Sequence, residues 1–524
     1  MKTRSFLLSA LAALMLAGCS EDAREDEIPG NVLVGKAYLS LSLQSRTSTL
    51  TRVDNVKTEN GSAEESAVSD VTVLLFDEDE VCLDVVDFTG VKVGNSDGGT
   101  SPTAEASDAK LVPEKTAKVF VVLNSAKWTF TKEAVVGKAW STINTAIDAV
   151  IGDVATDSKF VMASAGTKDK GALTPVTVHK PTAYTESAVQ QAKDAAKAAP
   201  ATINVDRLSA KVQVSQASGF TQPAGSNFTF NGWELSVTNK SVRLYSDLVT
   251  YDNATPGAVY RQDKNYLESE QPDITSNKEE NMDKAFNYLK NIDDVSKDMP
   301  AVTQVDKASL YCLENTMEAK AQQLGFTTKV VVKAQYTPDG IGKDASYFSW
   351  KGAYYTLAQL KAEYLKHANG SGLKVDLPAF LKKAGVMSQG DFEQGQSKWD
   401  EIVANLSEGA TADKLNAKTG IIGRFCAVRY YHASVCYYDV LIRHDQNITT
   451  KMALGRYGVV RNNWYNIELN SVSGPGTPWI PDPSDPDPTN PTPPDTDDDE
   501  ADAYLSVKIT INPWTYWTQG VDLH

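Results

Sequence analysis

The feature that most constrains this chain is a short strand pattern written twice, at opposite ends. Ala37-Tyr38-Leu39-Ser40-Leu41-Ser42-Leu43 and Ala503-Tyr504-Leu505-Ser506-Val507-Lys508-Ile509-Thr510-Ile511 open with the same four residues and keep the same alternation. Leu, Val and Ile fall at every second position (39, 41, 43; then 505, 507, 509, 511), the period-two signature of a half-buried strand with one apolar face. Two strands of one pattern fit one slot in a sheet. Removing the first copy would open a groove that the second copy of another molecule fills, with main-chain hydrogen bonds for affinity and alternate side chains for register. The alternative is a coincidence between two ordinary edge strands.

The N-terminus carries a targeting segment: Lys2 and Arg4, an apolar run from Phe6 to Leu16, then Leu16-Ala17-Gly18-Cys19. The run is too short to span a bilayer as a helix. The tetrapeptide resembles the lipobox of bacterial lipoproteins, which makes Cys19 the acylated first residue; the alternative is a plain secretory signal. The acidic stretch Ser20 to Glu27 resembles a surface-export signal of such lipoproteins, or else is a solvated spacer. Beyond the first strand, Arg46 and Arg52 sit in or beside the Ser/Thr-rich run Ser45 to Thr51, followed by the polar segment Val53 to Ser69, a cleavable loop by composition. A cut between Arg52 and Val53, or second between Arg46 and Thr47, removes the lipid and the first strand together.

The remainder, 41% hydrophobic in a chain of 524 residues, is long enough for two domains. A net charge of -16 with no basic cluster argues against a nucleic-acid partner. Strand signals dominate at 71–76, 117–123, 205–214, 329–336 and 437–442, rich in β-branched and aromatic residues. Helices are expected at 132–151, 185–197, 356–367 and 391–406. Helices that interrupt runs of strands predict a mainly β chain: two β-sandwiches with helical insertions. The Gly, Pro and Asn content of Phe220 to Asn231 places the boundary near 220. The domains expected are a signal at 1–19, a propeptide at 20–52, sandwiches at 53–220 and 221–478, a linker at 479–502 and a tail at 503–524.

Pro481 to Glu500 is a run of Pro and acidic residues that predicts an extended, self-repelling polyproline II spacer of about 60 Å at roughly 3.1 Å per residue. It would deliver the second strand to a neighbour. Asn512-Pro513-Trp514-Thr515-Tyr516-Trp517 behind that strand supplies an aromatic anchor. If Leu505, Val507, Ile509 and Ile511 each contribute about 1.5 to 3 kcal/mol on burial, the joint gains roughly 6 to 12 kcal/mol before association costs.

No chemistry competes with this reading. His179, His367, His432, His444 and His524 have no metal-ligand spacing, and no nucleophile elbow or phosphate loop is present. Neither a catalytic residue nor a cofactor is expected. Asp77 to Glu80 reads as a solvated hairpin turn rather than a cation site, and Asp495 to Glu500 as linker rather than a weak Ca²⁺ site. Cys82, Cys312, Cys426 and Cys436 read equally as small buried residues or as partners, Cys426 with Cys436 being the local pair.

With these parts placed, the chain resembles the shaft fimbrillins of Bacteroidales type V pili, nearest to the short-fimbrium type of Porphyromonas. The resemblance is carried by Lys115 to Asn124, Val205-Asp206-Arg207-Leu208-Ser209-Ala210-Lys211-Val212, Val459-Val460-Arg461-Asn462-Asn463-Trp464-Tyr465 and the ending Pro513-Trp514 through Leu523, in this order with the lipobox and acidic Pro run. It implies transthyretin-like sandwiches and export as an outer-membrane lipoprotein. It also implies removal of the strand with Leu39, Leu41 and Leu43 by a surface Arg-specific protease, and donation of Tyr504 to Trp517 to the next subunit. The implied partners are copies of itself head-to-tail, accessory tip and anchor subunits and the protease. The implied role is adhesion and biofilm formation. A cleavable leader together with a donor tail favours a shaft subunit over a tip, an anchor or a glycan-binding surface lipoprotein.

Overall fold

β-Branched and aromatic runs of the chain pair into three main sheets. A computed structural model describes residues 33–515 except 46–58, 63, 90, 92, 96–105, 126–129, 150, 157–158, 252–258, 264–268, 270, 291–308, 416–418, 446, 488–492 and 501–504. The architecture is mainly β. The first sheet runs Cys82–Phe88, Val71–Phe76, Lys118–Leu123, Met162–Ser164, Ala201–Arg207, Leu41–Ser45 and Val93–Asn95. Its central strands are apolar at nearly every position because both faces are covered. One face holds Val73, Leu75, Val119 and Val121 with Leu39 and Val112 from a flanking strand pair. The other holds Leu74, Phe120 and Val122 under Trp140, Val154 and Tyr245. Asp77 to Glu80 makes the tight turn between the antiparallel strands Val71–Phe76 and Cys82–Phe88, as expected of its polar composition.

Two further sheets face one another. Ser309–Leu313, Ser209–Thr221, Asn463–Val472, Leu505–Thr515 and Glu59–Asn60 form one; Asn227–Ser236, Lys329–Thr337 and Val435–Leu441 form the other. Alternate residues of both, among them Val212, Val214, Ile467 and Leu469 against Val330, Val332, Tyr438 and Val440, interdigitate in one core, which is a β-sandwich. A helical insertion is carried between Ala353–Tyr355 and Val428–Tyr431. Its helices Leu357–Lys366 and Leu373–Lys383 pack Leu360, Tyr364, Leu377 and Phe380 on the strand residues Phe348 and Tyr430. Thr356 caps the first of these through a reciprocal capping box with Gln359.

Three expectations are corrected. The stretch 205–214 is not one strand: Leu208 separates Ala201–Arg207 in the first sheet from Ser209–Thr221 in the second, ahead of the composition change at 220. The segment 132–151 is broken into single turns (Lys132–Val135, Trp140–Ile143) because Gly137, at φ 79, ends the first turn. The helix Leu373–Lys383, absent from the expectation, tolerates Pro378 within it, where the sequence alone reads a breaker.

Two of the four segments quoted for the resemblance, 205–212 and 459–465, lie side by side where the first sheet passes into the second. Lys211 pairs with Trp464 in a parallel ladder, and its Nζ stands 3.9 Å from the Trp464 ring. Asn462 Oδ1 accepts from Arg207 Nη1 at 3.2 Å, and Asn462 Nδ2 donates to Asp206 at 3.2 Å. Around them run two buried ion pairs, Arg261 to Asp206 at 2.6 Å and Arg461 to Glu314 at 2.7 Å. Glu65, inside the polar segment 53–69 read as a cleavable loop, is instead buried and joins the same group through Lys211 at 2.7 Å and Tyr311 at 2.5 Å. Arg461→Met strands the fully buried Glu314 carboxylate. A loss of about 3 to 5 kcal/mol is expected in denaturant unfolding. The double change with Glu314→Leu should recover part of it.

Candidate assembly site

The two copies of the repeated strand occupy different places. The first is interior: Leu41–Ser45 pairs in parallel with Ala201–Arg207 on one side and with Val93–Asn95 on the other. Leu39, Leu41 and Leu43 are buried in the first core, worth about 5 to 9 kcal/mol gross for the three. The half-buried expectation is corrected for this copy, because Ser40 and Ser42 are buried as well. Ser40 Oγ donates to the Ser107 carbonyl at 2.7 Å, while Ser107 Oγ accepts from Leu41 N at 2.9 Å. A small hydroxyl residue is therefore demanded at position 40. Tyr38 exchanges two main-chain hydrogen bonds with His179, each 2.8 Å, and its ring packs under Ala192 and Ala196 of the helix Glu186–Ala198. Burial raises the Tyr38 phenol.

The second copy keeps the expected alternation. Leu505 and Ile509 are buried, Val507 is half-buried, and Ser506 and Lys508 face outward. This strand, Leu505–Thr515, lies antiparallel on its own chain's strand Asn463–Val472, with Ile509 opposite Ile467 and Val507 opposite Leu469. On its other side it pairs, among the described residues, with Glu59–Asn60 through Trp514 and Thr515. Among the described residues it is an edge strand over most of its length. The side chains of Ile511 and Trp514, and all of Tyr504 and Trp517, lie outside the described residues, as do Cys19, Arg46, Thr47, Arg52 and Val53.

The Pro/Asp run departs from an extended solvated spacer. Ile480 to Ser484 are buried, and Asp485 pairs with Arg424 at 2.6 Å. Further on, Pro494 and Thr496 accept from Gly325 N and Leu324 N at 2.9 and 3.0 Å. A Cβ on Gly325 would stand 2.6 Å from Pro494 Cβ, so this close approach requires glycine. Asp499 accepts from Arg456 Nη2 at 2.8 Å, Tyr457 OH at 2.9 Å and Met452 N at 2.7 Å. Burial works against its charge, yet these donors hold the carboxyl below its usual range. Composition missed this docking because the receiving groups, Arg424, Arg456 and Gly325, lie far off in sequence. Ser107 and His179 carry no signal of their own either.

Among the described residues no group of three or more His, Cys, Asp or Glu is arranged to hold a metal. Cys82, Cys312, Cys426 and Cys436 are free thiols, and burial pushes Cys82 up to about 11 and Cys312 to about 12.

Residues 429–520 match the family model "Major fimbrial subunit protein type IV, Fimbrillin, C-terminal". The chain is fimbrillin-like. That span holds the outer sheet strand Val435–Leu441, the strand Asn463–Val472, the docked Pro/Asp run and the tail strand. A fimbrillin-like chain is in keeping with a fimbrial subunit at the cell surface. No curated protein matches. Among solved structures, a fimbrilin of Porphyromonas gingivalis W83 is 14% identical, with 92% of this chain and 99% of that one covered and a TM-score of 0.35. A C-terminally truncated tip fimbrial protein of Porphyromonas gingivalis is 10% identical over 91% and 100% of the two chains, TM-score 0.35. A fimbrial assembly protein of Parabacteroides distasonis is 13% identical over 57% and 82%, TM-score 0.28.

Asp498 gives the docked run a pH dependence. It is 2% exposed and accepts from Thr327 Oγ1 at 2.5 Å, and burial pushes its carboxyl up to about 8. A free aspartate ionises near about 4, so folding takes up a proton between those values, and this contact's contribution falls as pH rises through that window. Amide-exchange protection at Gln322 to Phe326, corrected for intrinsic chemistry, should weaken from about pH 5 to about pH 8 and stay level in Asp498→Asn.

Proposed function

We propose that this chain is a shaft subunit of a cell-surface fimbrium, exported as a lipoprotein on Cys19 and polymerised by strand donation, with no enzymatic activity. The observation that carries the reading is the contrast between the two copies of one strand. The first sits in an interior slot held on both sides and is tied to the body through the segment containing Arg46 and Arg52. The second is an edge strand with a ladder on one side.

Cleavage after Arg52, or after Arg46, releases the covalent tie of Ala37 to Leu43 to the body. Once that strand leaves, Ile203, Val205, Val112 and the polar groups of Ser107 and Ala201 lose their partners. A tail strand entering from a second copy gains two ladders in exchange for one. Alignment of the copies sets the register: Leu505, Val507 and Ile509 take the places of Leu39, Leu41 and Leu43, and Ser506 takes that of Ser40 at Ser107. Lys508 comes to Ser42's place, opposite the exposed Thr202, where its long stem reaches solvent. Head-to-tail donation is heterologous and does not close, so it builds a filament. The domains that follow are a processed leader to 52, two sandwich domains, the Pro/Asp run and the donor tail. Tip and anchor subunits and an Arg-specific surface protease complete the set of partners.

The test begins with the N-terminal sequence of protein sheared from cells, expected at Val53 or Thr47 and without lipid. Ile203→Cys combined with Ile509→Cys should form disulfide-linked ladders between subunits, because Ile203 is the neighbour of Leu43. Ile203→Cys with Val507→Cys should give far fewer. Ladders that survive deletion of 503–524, or an acylated Cys19 on the sheared protein, would sink the shaft reading.

A further inference from the structure

A buried lysine and a partly exposed acid stand in bonding distance on neighbouring strands of the second sandwich, the acid's side chain 20% exposed. Lys329 Nζ lies 2.6 Å from Asp439 Oδ2, and the Lys329 side chain is 0% exposed. The strands Lys329–Thr337 and Val435–Leu441 are antiparallel, with Val331 opposite Asp439 and Lys329 opposite Leu441, so the two side chains share a face. Val331, Tyr437 and Ile480 make an apolar cluster on that face with Leu289 beside it. Asp439 Oδ1 is buried with no hydrogen-bond partner. An ion pair in such a place is poorly compensated, since one carboxylate oxygen has no protein partner and the ammonium is closed off from solvent.

We propose that Lys329 and Asp439 are joined by an intramolecular amide between Nζ and Cγ. Three features of the surroundings favour condensation over a salt bridge. Burial raises the Asp439 carboxyl against the charge of Lys329, which favours the neutral acid, the form whose Cγ an amine attacks. A second acid is at hand: Asp498 is buried, keeps its proton to about pH 8, and has a buried Oδ1 with no hydrogen-bond partner. Its carboxyl feels the Lys329 charge, as does that of Asp482, which burial also raises.

The step balances without an oxidant or reductant. The lone pair of Nζ attacks Cγ and forms the N–Cγ bond. One proton from nitrogen passes to Asp498 as Asp498 gives its own to the departing hydroxyl. The Cγ–O bond breaks, water leaves, and Asp498 ends as it began. The product is neutral, which removes the buried charge pair. Both candidate proton carriers come from the Pro/Asp run, so the bond forms only in a chain whose run has docked. It ties the two strands that bracket the helical insertion. The inference does not depend on the fimbrial reading.

Intact mass and a tryptic map of the purified full chain test it. The expected mass is one water below that of the linear sequence, with a branched peptide joining residues 321–333 and 430–443 and no cleavage after Lys329. A mass equal to the linear sequence, a normal cut after Lys329, or a water loss mapped elsewhere overturns the proposal. Asp439→Asn should form the same cross-link with loss of ammonia in place of water, and Lys329→Met should form none. Asp498→Asn, which keeps the Thr327 contact in reach, should leave the chain unlinked. Cross-linking of that variant at the native rate overturns the role of Asp498.

Discussion

The fold depends on a ladder that one short strand completes. Leu41–Ser45 stands between Ala201–Arg207 and Val93–Asn95 and, among the described residues, is the ladder partner that both share. Unpaired main-chain groups are costly when buried. The strand also fills the first core from one side with Leu39, Leu41 and Leu43 while its serines are closed in on the other. The first sheet and its core are arranged around this piece of chain.

The join between the sheets explains how the body tolerates that arrangement. Glu65, within the polar segment 53–69, is fixed by Lys211 and Tyr311, and Arg207 donates to its carbonyl at 3.0 Å. The charged group at Arg207, Asn462, Arg461 and Glu314 is almost wholly inaccessible. Such groups specify one arrangement because any other leaves charges unpaired. The network therefore fixes the chain at Glu65 where it enters the sandwich.

Much of this was legible in the sequence where a local pattern decides it. The strands at 71–76, 118–123 and 329–337 follow from β-branched runs, the turn at Asp77 to Glu80 from its polar residues, and the helices at 186–198 and 357–366 from Thr caps and periodic apolar positions. What was not legible depends on partners distant in sequence. Ser40 and Ser42 read as a solvent face, yet Ser107 and the flanking strands bury them. Asp498 and Asp499 read as solvated, yet Thr327 and Arg456 receive them. The twin strands announced their likeness but not their slots, because one pattern is compatible with an interior place and with an edge. The break at Leu208 has no composition signal, since both strands it separates have the same propensity.

The contact of Gly325 with Pro494 fixes a quantity that composition left open. With the Pro/Asp run clamped at Gln322 to Gly325 and at Arg456, the free length available to the tail is counted from beyond Glu500, not from Pro481. On the proposed function, a subunit built this way would meet its neighbour at a set spacing, like a rigid link with a short hook. Were the clamp to open, the same chain would become a long elastic tether, and the pitch of any polymer made from it would soften accordingly.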